Sequence, residues 1–192
     1  MSKAVHVRLA AHPANPARFH QRVECTLTHA ADGGMQIDYA IHGLNLDLRV
    51  PTPHSPAPAD ALWRTTCCEL FVGPAGQSDY REFNFSPSGQ WAVYDFLDYR
   101  ERKPGSPDCH SPALRFERGD DLLKLAVLLP HDALPPVAKH GTLRLALAAV
   151  LEANDGSLGY WALAHAAGKP DFHRAGFMLC LGPDGLRPTR CA

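Results

Sequence analysis

Residues 80–96, YREFNFSPSGQWAVYDF, set Glu82, Asn84 and Ser86 at every second position among aromatics, and a second alternating run follows after Pro87, Ser88 and Gly89. A period of two is the signature of β-strands, whose successive side chains point to opposite faces. A three-residue loop with a glycine in the left-handed conformation joins such strands into a hairpin. That register sets Ser86 opposite Gln90, Asn84 opposite Ala92 and Glu82 opposite Tyr94, so these polar residues share one face. Phe83, Phe85, Trp91 and Val93 share the other, with Arg81 and Asp95 as a cross-strand ion pair at its end. The aromatic face is expected to be core.

The same alternation extends outward in both directions. RVECTLT, MQIDYAI and LNLDLRV precede it, with Leu44, Leu46, Leu48 and Val50 as the apolar set of the third; CCELFVG lies just upstream. ALRFE, LLKLAVLLP, TLRLALAAVLE, GYWALA and GFMLCLG follow, which makes about a dozen short strands against one weak helical candidate, HDAL after Pro130. No repeating strand and helix unit appears, so a parallel doubly wound sheet is disfavoured and an antiparallel sandwich or barrel favoured. The expected fold class is all-β, an antiparallel jelly-roll-like β-sandwich. Two long Pro-rich connections, residues 50–63 and 100–112, should run over the surface and could border a binding face, although plain solvated loops are the better account of each taken alone.

At 192 residues the chain is expected to form a single domain, 1–192, around one core. A formal charge of −1 gives no electrostatic motive for a nucleic-acid partner or an anionic membrane. The first residues lack the apolar core and cleavage site of a secretory signal, and no run approaches a membrane span, so a cytoplasmic location is expected. Six cysteines, at 25, 67, 68, 109, 180 and 191, include no CxxC pair and are expected to be thiols. Cys67 and Cys68 should point to opposite faces of one strand and so cannot act as a thiol pair.

The polar face of the hairpin presents Glu82, Asn84, Gln90 and Tyr94, and CCELFVG adds Glu69 by the same parity. Carboxylate, amide and phenol groups fixed beside aromatics suit a polyhydroxylated ligand, offering bidentate hydrogen bonds to hydroxyls and a ring for the apolar face of a sugar. A sheet with one solvated face shows the same alternation without any ligand. For Ser86 and Gln90 that plain explanation is adopted; for Glu82 and Asn84 beside Tyr94 both stand. Asp171 and His173 lie two apart in PDFH and are expected to tie that loop to its neighbours by hydrogen bonds. No nucleophile elbow, zinc motif or phosphate-binding loop is present. No catalytic residues and no metal ligands are therefore expected. The alternative is a carbohydrate-active enzyme using Glu69 and Glu82 as its carboxylate pair.

The succession TTCCELFVGP, YREFNFSPSGQWAVYDFLDYR and GYWALAH with KPDFH resembles the bacterial DOMON-like domain proteins, relatives of the family 9 carbohydrate-binding modules. The likeness is best over residues 63–100 and 158–181. It implies a jelly-roll β-sandwich with a ligand groove on one sheet, and a small-molecule partner, most plausibly a saccharide. By the same resemblance Trp63, Glu69, Glu82, Asn84, Tyr94, Arg100, Trp161 and His173 lie on or near the groove. Haem-binding relatives use Met and His ligands, but Met35 and Met178 fall at interior strand positions, so no cofactor is expected and a haem-binding domain is kept as the disfavoured alternative. A protein-interaction domain, with the polar face covered by another chain, is the remaining alternative, and the oligomeric state is left open.

Overall fold

The computed structural model describes residues 4–16, 19–30, 32–43, 48–105, 107, 111–136, 141–174, 179–182 and 185–188. Its strands, in chain order, are β1 (Val5–Ala11), β2 (Arg22–His29), β3 (Met35–His42), β4 (Leu48–Arg49), β5 (Cys67–Pro74), β6 (Tyr80–Phe85) and β7 (Trp91–Asp98). There follow β8 (Glu101–Arg102), β9 (Ala113–Arg118), β10 (Leu122–Leu129), β11 (Leu143–Ala153), β12 (Leu158–Ala162), β13 (Leu179–Gly182) and β14 (Gly185–Pro188). Every ladder between them is antiparallel. The expected all-β antiparallel sandwich is therefore the fold observed.

One sheet has the order β9-β10-β3-β2-β1 and the other β8-β7-β6-β5-β11-β12-β1. β1 belongs to both, because Val5–Leu9 pair with β2 while Ala10 and Ala11 pair with β12. The alternating residues Val5, Val7 and Leu9 already carried the signal for this strand, which the sequence reading left unassigned. Between the sheets lies the main core, with Val23, Ile37, Tyr39, Leu125 and Val127 of one sheet against Leu70, Phe83, Phe85, Leu147 and Leu151 of the other. The Tyr39 hydroxyl donates to the Glu69 carbonyl oxygen at 2.9 Å and so bonds one sheet to the other.

The β6–β7 hairpin has the expected register, from Arg81 opposite Asp95 to Phe85 opposite Trp91. The Ser86 N–H donates to the Gln90 carbonyl oxygen at 2.9 Å, and Gly89 sits at φ +91° as the loop requires. Arg81 grips Asp95 through two hydrogen bonds of 2.7 and 2.9 Å. The helical candidate HDAL contributes only a 3-10 turn, His131–Ala133, because Pro130 precedes it and Pro135 follows. Leu44, Leu46, Met178, Cys109 and Cys191 lie outside the described residues. Cys25, Cys67 and Cys68 are buried thiols as expected, but Cys180 is disulfide-bonded, which corrects the expectation of thiols throughout.

A second correction concerns the polar face itself. β5 and β6 are buried along their whole length on both faces, so Glu82 and Asn84 are not on a solvated surface. The outer face of this sheet has an apolar cluster of its own, Leu62, Cys67, Phe71, Tyr80, Tyr94 and Phe96 with Ala92, Ala146, Ala148 and Ala162. The small alanines leave room for covering segments. The Pro-rich connection runs along the edge of β7, with His54 N–H donating to the Ser88 carbonyl oxygen (2.8 Å), Ala59 N–H to that of Trp91 (2.9 Å) and Pro58 bridging Trp91, and then lays Ala59 and Leu62 on this cluster. Phe172 and His173 cover the other side, the latter against Phe71, Tyr80 and Phe96.

Candidate functional site

Between those two covering segments the outer face opens into a cleft of about 540 Å³. Glu69 of β5, Glu82 of β6 and Tyr94 of β7 reach it from neighbouring strands because all three share one parity. Glu69 faces Asn84 across the β5–β6 ladder, which puts Glu82, two residues away, on its diagonal. Diagonal neighbours on a sheet are about 7 to 8 Å apart, so the two carboxyls share one floor.

They are held differently. Asn84 donates its amide N–H to Glu82 Oε1 at 2.6 Å and is itself completely buried, with the Cys67 thiol on its oxygen. It stands behind Glu82 and fixes it. Burial raises the pKa of Glu82, while that bond and the charges of Arg100 and Arg102 pull it back. Glu69 is 3% exposed and, among the described residues, its carboxyl has no hydrogen-bond partner. Burial and then the Glu82 charge hold its pKa well above the usual carboxylate range. Its oxygens open on the cleft and not into the packed interior, so water or a ligand seated there can satisfy them.

One wall is aromatic and carries a histidine. Tyr80 stacks on Phe96 with ring centroids 4.8 Å apart, and His173 meets the edges of Phe71 and Phe96 at 5.4 and 5.0 Å. Burial depresses the His173 pKa to about 4, aided by Arg100, so the ring is neutral near pH 7. The Arg100 N–H donates to the Tyr80 hydroxyl at 3.3 Å, and that hydroxyl lies 2.7 Å from His173 Nδ1. With the hydroxyl donating to Nδ1, Nε2 carries the proton and faces Glu82 Oε2 at 3.7 Å. Asp171 ties this wall to the β7–β8 turn, accepting from the Tyr99 hydroxyl (2.6 Å), Arg100 (3.1 Å) and the His173 N–H (3.2 Å). This is the tethering expected of the PDFH segment.

The opposite rim is Asp60, Ala61, Trp63 and Arg64. The Tyr94 hydroxyl donates to Asp60 and accepts from the Ala61 N–H at 3.4 Å. Trp63 is 46% exposed, the only tryptophan that reaches solvent to this extent among the described residues. Ala61 (φ 57°) and Arg100 (φ 54°) are the two non-glycine residues in the left-handed region among those described, and both line the cleft. Such strain tends to gather at binding sites, where the surroundings hold it.

Of the eight residues expected at the groove, Trp63, Glu69, Glu82, Tyr94, Arg100 and His173 line the cleft, and Asn84 lies directly behind it. Trp161 does not. It points into the main core, 1% exposed, with its ring edge against Phe19 at 5.7 Å. Gly159 makes that room, since a Cβ there would meet both rings at 2.8 Å. Its neighbour Tyr160 lines the cleft instead. Phe71 and Phe96, which line the cleft, and Tyr80, which stacks on Phe96 behind it, were missed, although they have the parity of Glu69, Glu82 and Tyr94. Arg102 and Phe172 come from short elements with no periodic signal. The larger depression over the other sheet, about 800 Å³, is lined by side chains that pair among themselves, such as Arg115 with Glu117 at 2.7 Å and His6 with Thr26 at 2.8 Å.

The protein is thus an antiparallel β-sandwich with a cleft on the outer face of one sheet. A candidate carbohydrate-binding protein from Bacteroides uniformis has a similar structure, with a TM-score of 0.67 at 14% identity over 92% of this chain and 84% of that one. A family 9 carbohydrate-binding module from Caldicellulosiruptor kristjanssonii also aligns, in its glucose complex (TM-score 0.49, 8% identity, 83% of this chain and 76% of that one) and in its cellotriose complex (0.48, 9%, 83% and 74%). No protein-family model and no curated protein matches the chain.

Proposed function

We propose that the cleft binds a saccharide and that this binding, without chemistry on the ligand, is what the protein does. The observation that carries this reading is Glu69, a buried carboxyl on the cleft floor with no hydrogen-bond partner among the described residues, beside Glu82 and beneath the exposed indole of Trp63. Two carboxyls can accept from adjacent hydroxyls, and an indole covers the C–H face of a sugar ring. The fold shared with the Bacteroides uniformis candidate carbohydrate-binding protein supports the same reading.

Glycoside hydrolysis is the second reading, and the raised pKa values of Glu69 and Glu82 favour it. Glycosidases place their two carboxyls on either side of the scissile bond. Glu69 and Glu82 instead approach from one floor, and the acids at the rim, Asp60 and Asp171, are engaged by Tyr94, Tyr99 and Arg100. Binding is therefore the stronger reading.

The test is thermal unfolding against mono- and disaccharides, uronates and haemin, with oligosaccharides assayed in parallel for released reducing ends. A ligand at 100 times its Kd adds about 2.7 kcal/mol, or a shift of about 5 to 10 °C for a chain of this size. A sugar-induced shift that Trp63→Ala removes is expected. A response to haemin alone, or to none of the panel, would overturn the proposal, and reducing-end release that Glu82→Gln abolishes would replace it with hydrolysis.

A further inference from the structure

The cleft mouth is more cationic than a neutral sugar needs. Arg64, Arg100 and Arg102 line it and Arg174 stands beside it, against Asp60 and Asp171. With Glu69 and Glu82 below, the cleft divides its charge, acidic on the floor and cationic at the mouth. Arg100 and Arg174 are both directed at Asp171, at 3.1 and 3.8 Å. Arg64 and Arg102 are not so engaged. The Arg64 guanidinium carbon lies 5.1 Å from the Trp63 ring centroid and that of Arg102 only 4.0 Å from the Tyr94 centroid, and neither forms an ion pair or a hydrogen bond to a described residue. Asp60 attracts both through space without pairing with either, and its Oδ1 takes both the Tyr94 hydroxyl and the Ala61 N–H.

A guanidinium stacked on a ring keeps its N–H groups at its edges, where they form a fork that matches an anionic oxygen pair. Resting on the assignment of the cleft as a saccharide site, we infer that its ligand is an acidic saccharide, with its hydroxyls on the Glu69 and Glu82 floor and its anionic group at the mouth between Arg64 and Arg102. The opposite orientation would press like charges together on the floor. The same forks suit a uronate carboxylate or a sugar phosphate, and direct comparison separates the two.

Titration calorimetry of the full chain at low salt would compare glucuronate, galacturonate and glucose 6-phosphate with glucose and with glucuronamide, which keeps the shape of glucuronate without its charge. At least one acid is expected to bind about tenfold or more tighter than glucose and, for glucuronate, than its amide, as one charge-assisted contact provides. That preference should fall with added salt and disappear in the Arg64→Gln/Arg102→Gln double variant. Both side chains are exposed, so the variant should melt with wild-type protein. Equal affinity for acids and neutral sugars, or a preference that survives the double substitution, overturns the inference while leaving the saccharide site standing. Failure of every sugar, charged or neutral, overturns both.

Discussion

Replacing Glu69 with Gln should stabilise the protein, and by an amount that depends on pH. Glu69 is buried, unpartnered and diagonal to Glu82. Burial of the charge is the first cost, and repulsion between carboxylates on diagonal residues, taken at about 7 Å and an effective dielectric of about 20, adds about 2 kcal/mol. A carboxyl whose pKa is raised in the folded state contributes stability below its unfolded pKa, near 4.5, and loses it as pH rises through the folded value. Wild-type protein therefore carries a cost at pH 8 that is absent at pH 3.5, where both carboxyls are protonated. Gln keeps the size of a protonated Glu and never ionises. Urea unfolding should show Glu69→Gln more stable than wild type by at least about 2 kcal/mol at pH 8 and equal to it within a few tenths at pH 3.5, with an unchanged m-value. At pH 8 the melting temperature should rise by at least about 4 to 8 °C. A loss of stability at pH 8, or the same difference at both pH values, would refute an unpartnered, repelled carboxyl on the cleft floor.

Phe85→Ala and Trp161→Ala should each cost about 3 to 5 kcal/mol in urea unfolding, since both rings are buried in the main core; a sugar-selectivity change with little loss of stability for Trp161→Ala would put that ring at the ligand after all. Trp63→Ala should change stability by less than about 0.5 kcal/mol, as an exposed rim residue does, and a large loss would mean the indole is packed. His173 has a depressed pKa, so its contribution is present above 6.5 and lost as pH falls towards about 4. The stability difference between wild type and His173→Gln should rise with pH across that window, with a slope below about 1.4 kcal/mol per unit because the ring is partly exposed. A difference independent of pH would show that the ring titrates normally.

Strand periodicity was legible over most of the chain, and with it the hairpin register, the faces of β5 to β7 and the set Glu69, Glu82 and Tyr94. A period of two is imposed by backbone geometry alone, so one sequence suffices to read it. The same parity would have found Phe71, Tyr80 and Phe96 had aromatics not been equated with the main core. Trp161 and Tyr160 are adjacent on a short strand, and which of them turned inward depended on Phe19 and Gly159, remote in sequence or small enough to pass unnoticed.

Alternation determined that polar and apolar residues lie on opposite faces, and it could say nothing of what covers the polar one. On β2, β3 and β10 the polar set faces outward from the sandwich, where Glu24, Asp38 and Lys124 border an open depression as the simplest account of a sheet predicts. On β5 and β6 an alternating pattern is buried under the segments that carry Ala59 and Leu62 on one side and Phe172 and His173 on the other. Only the tertiary structure decided between the two, because the difference comes from long-range packing of irregular segments on a floor of alanines. Such contacts have no period to read.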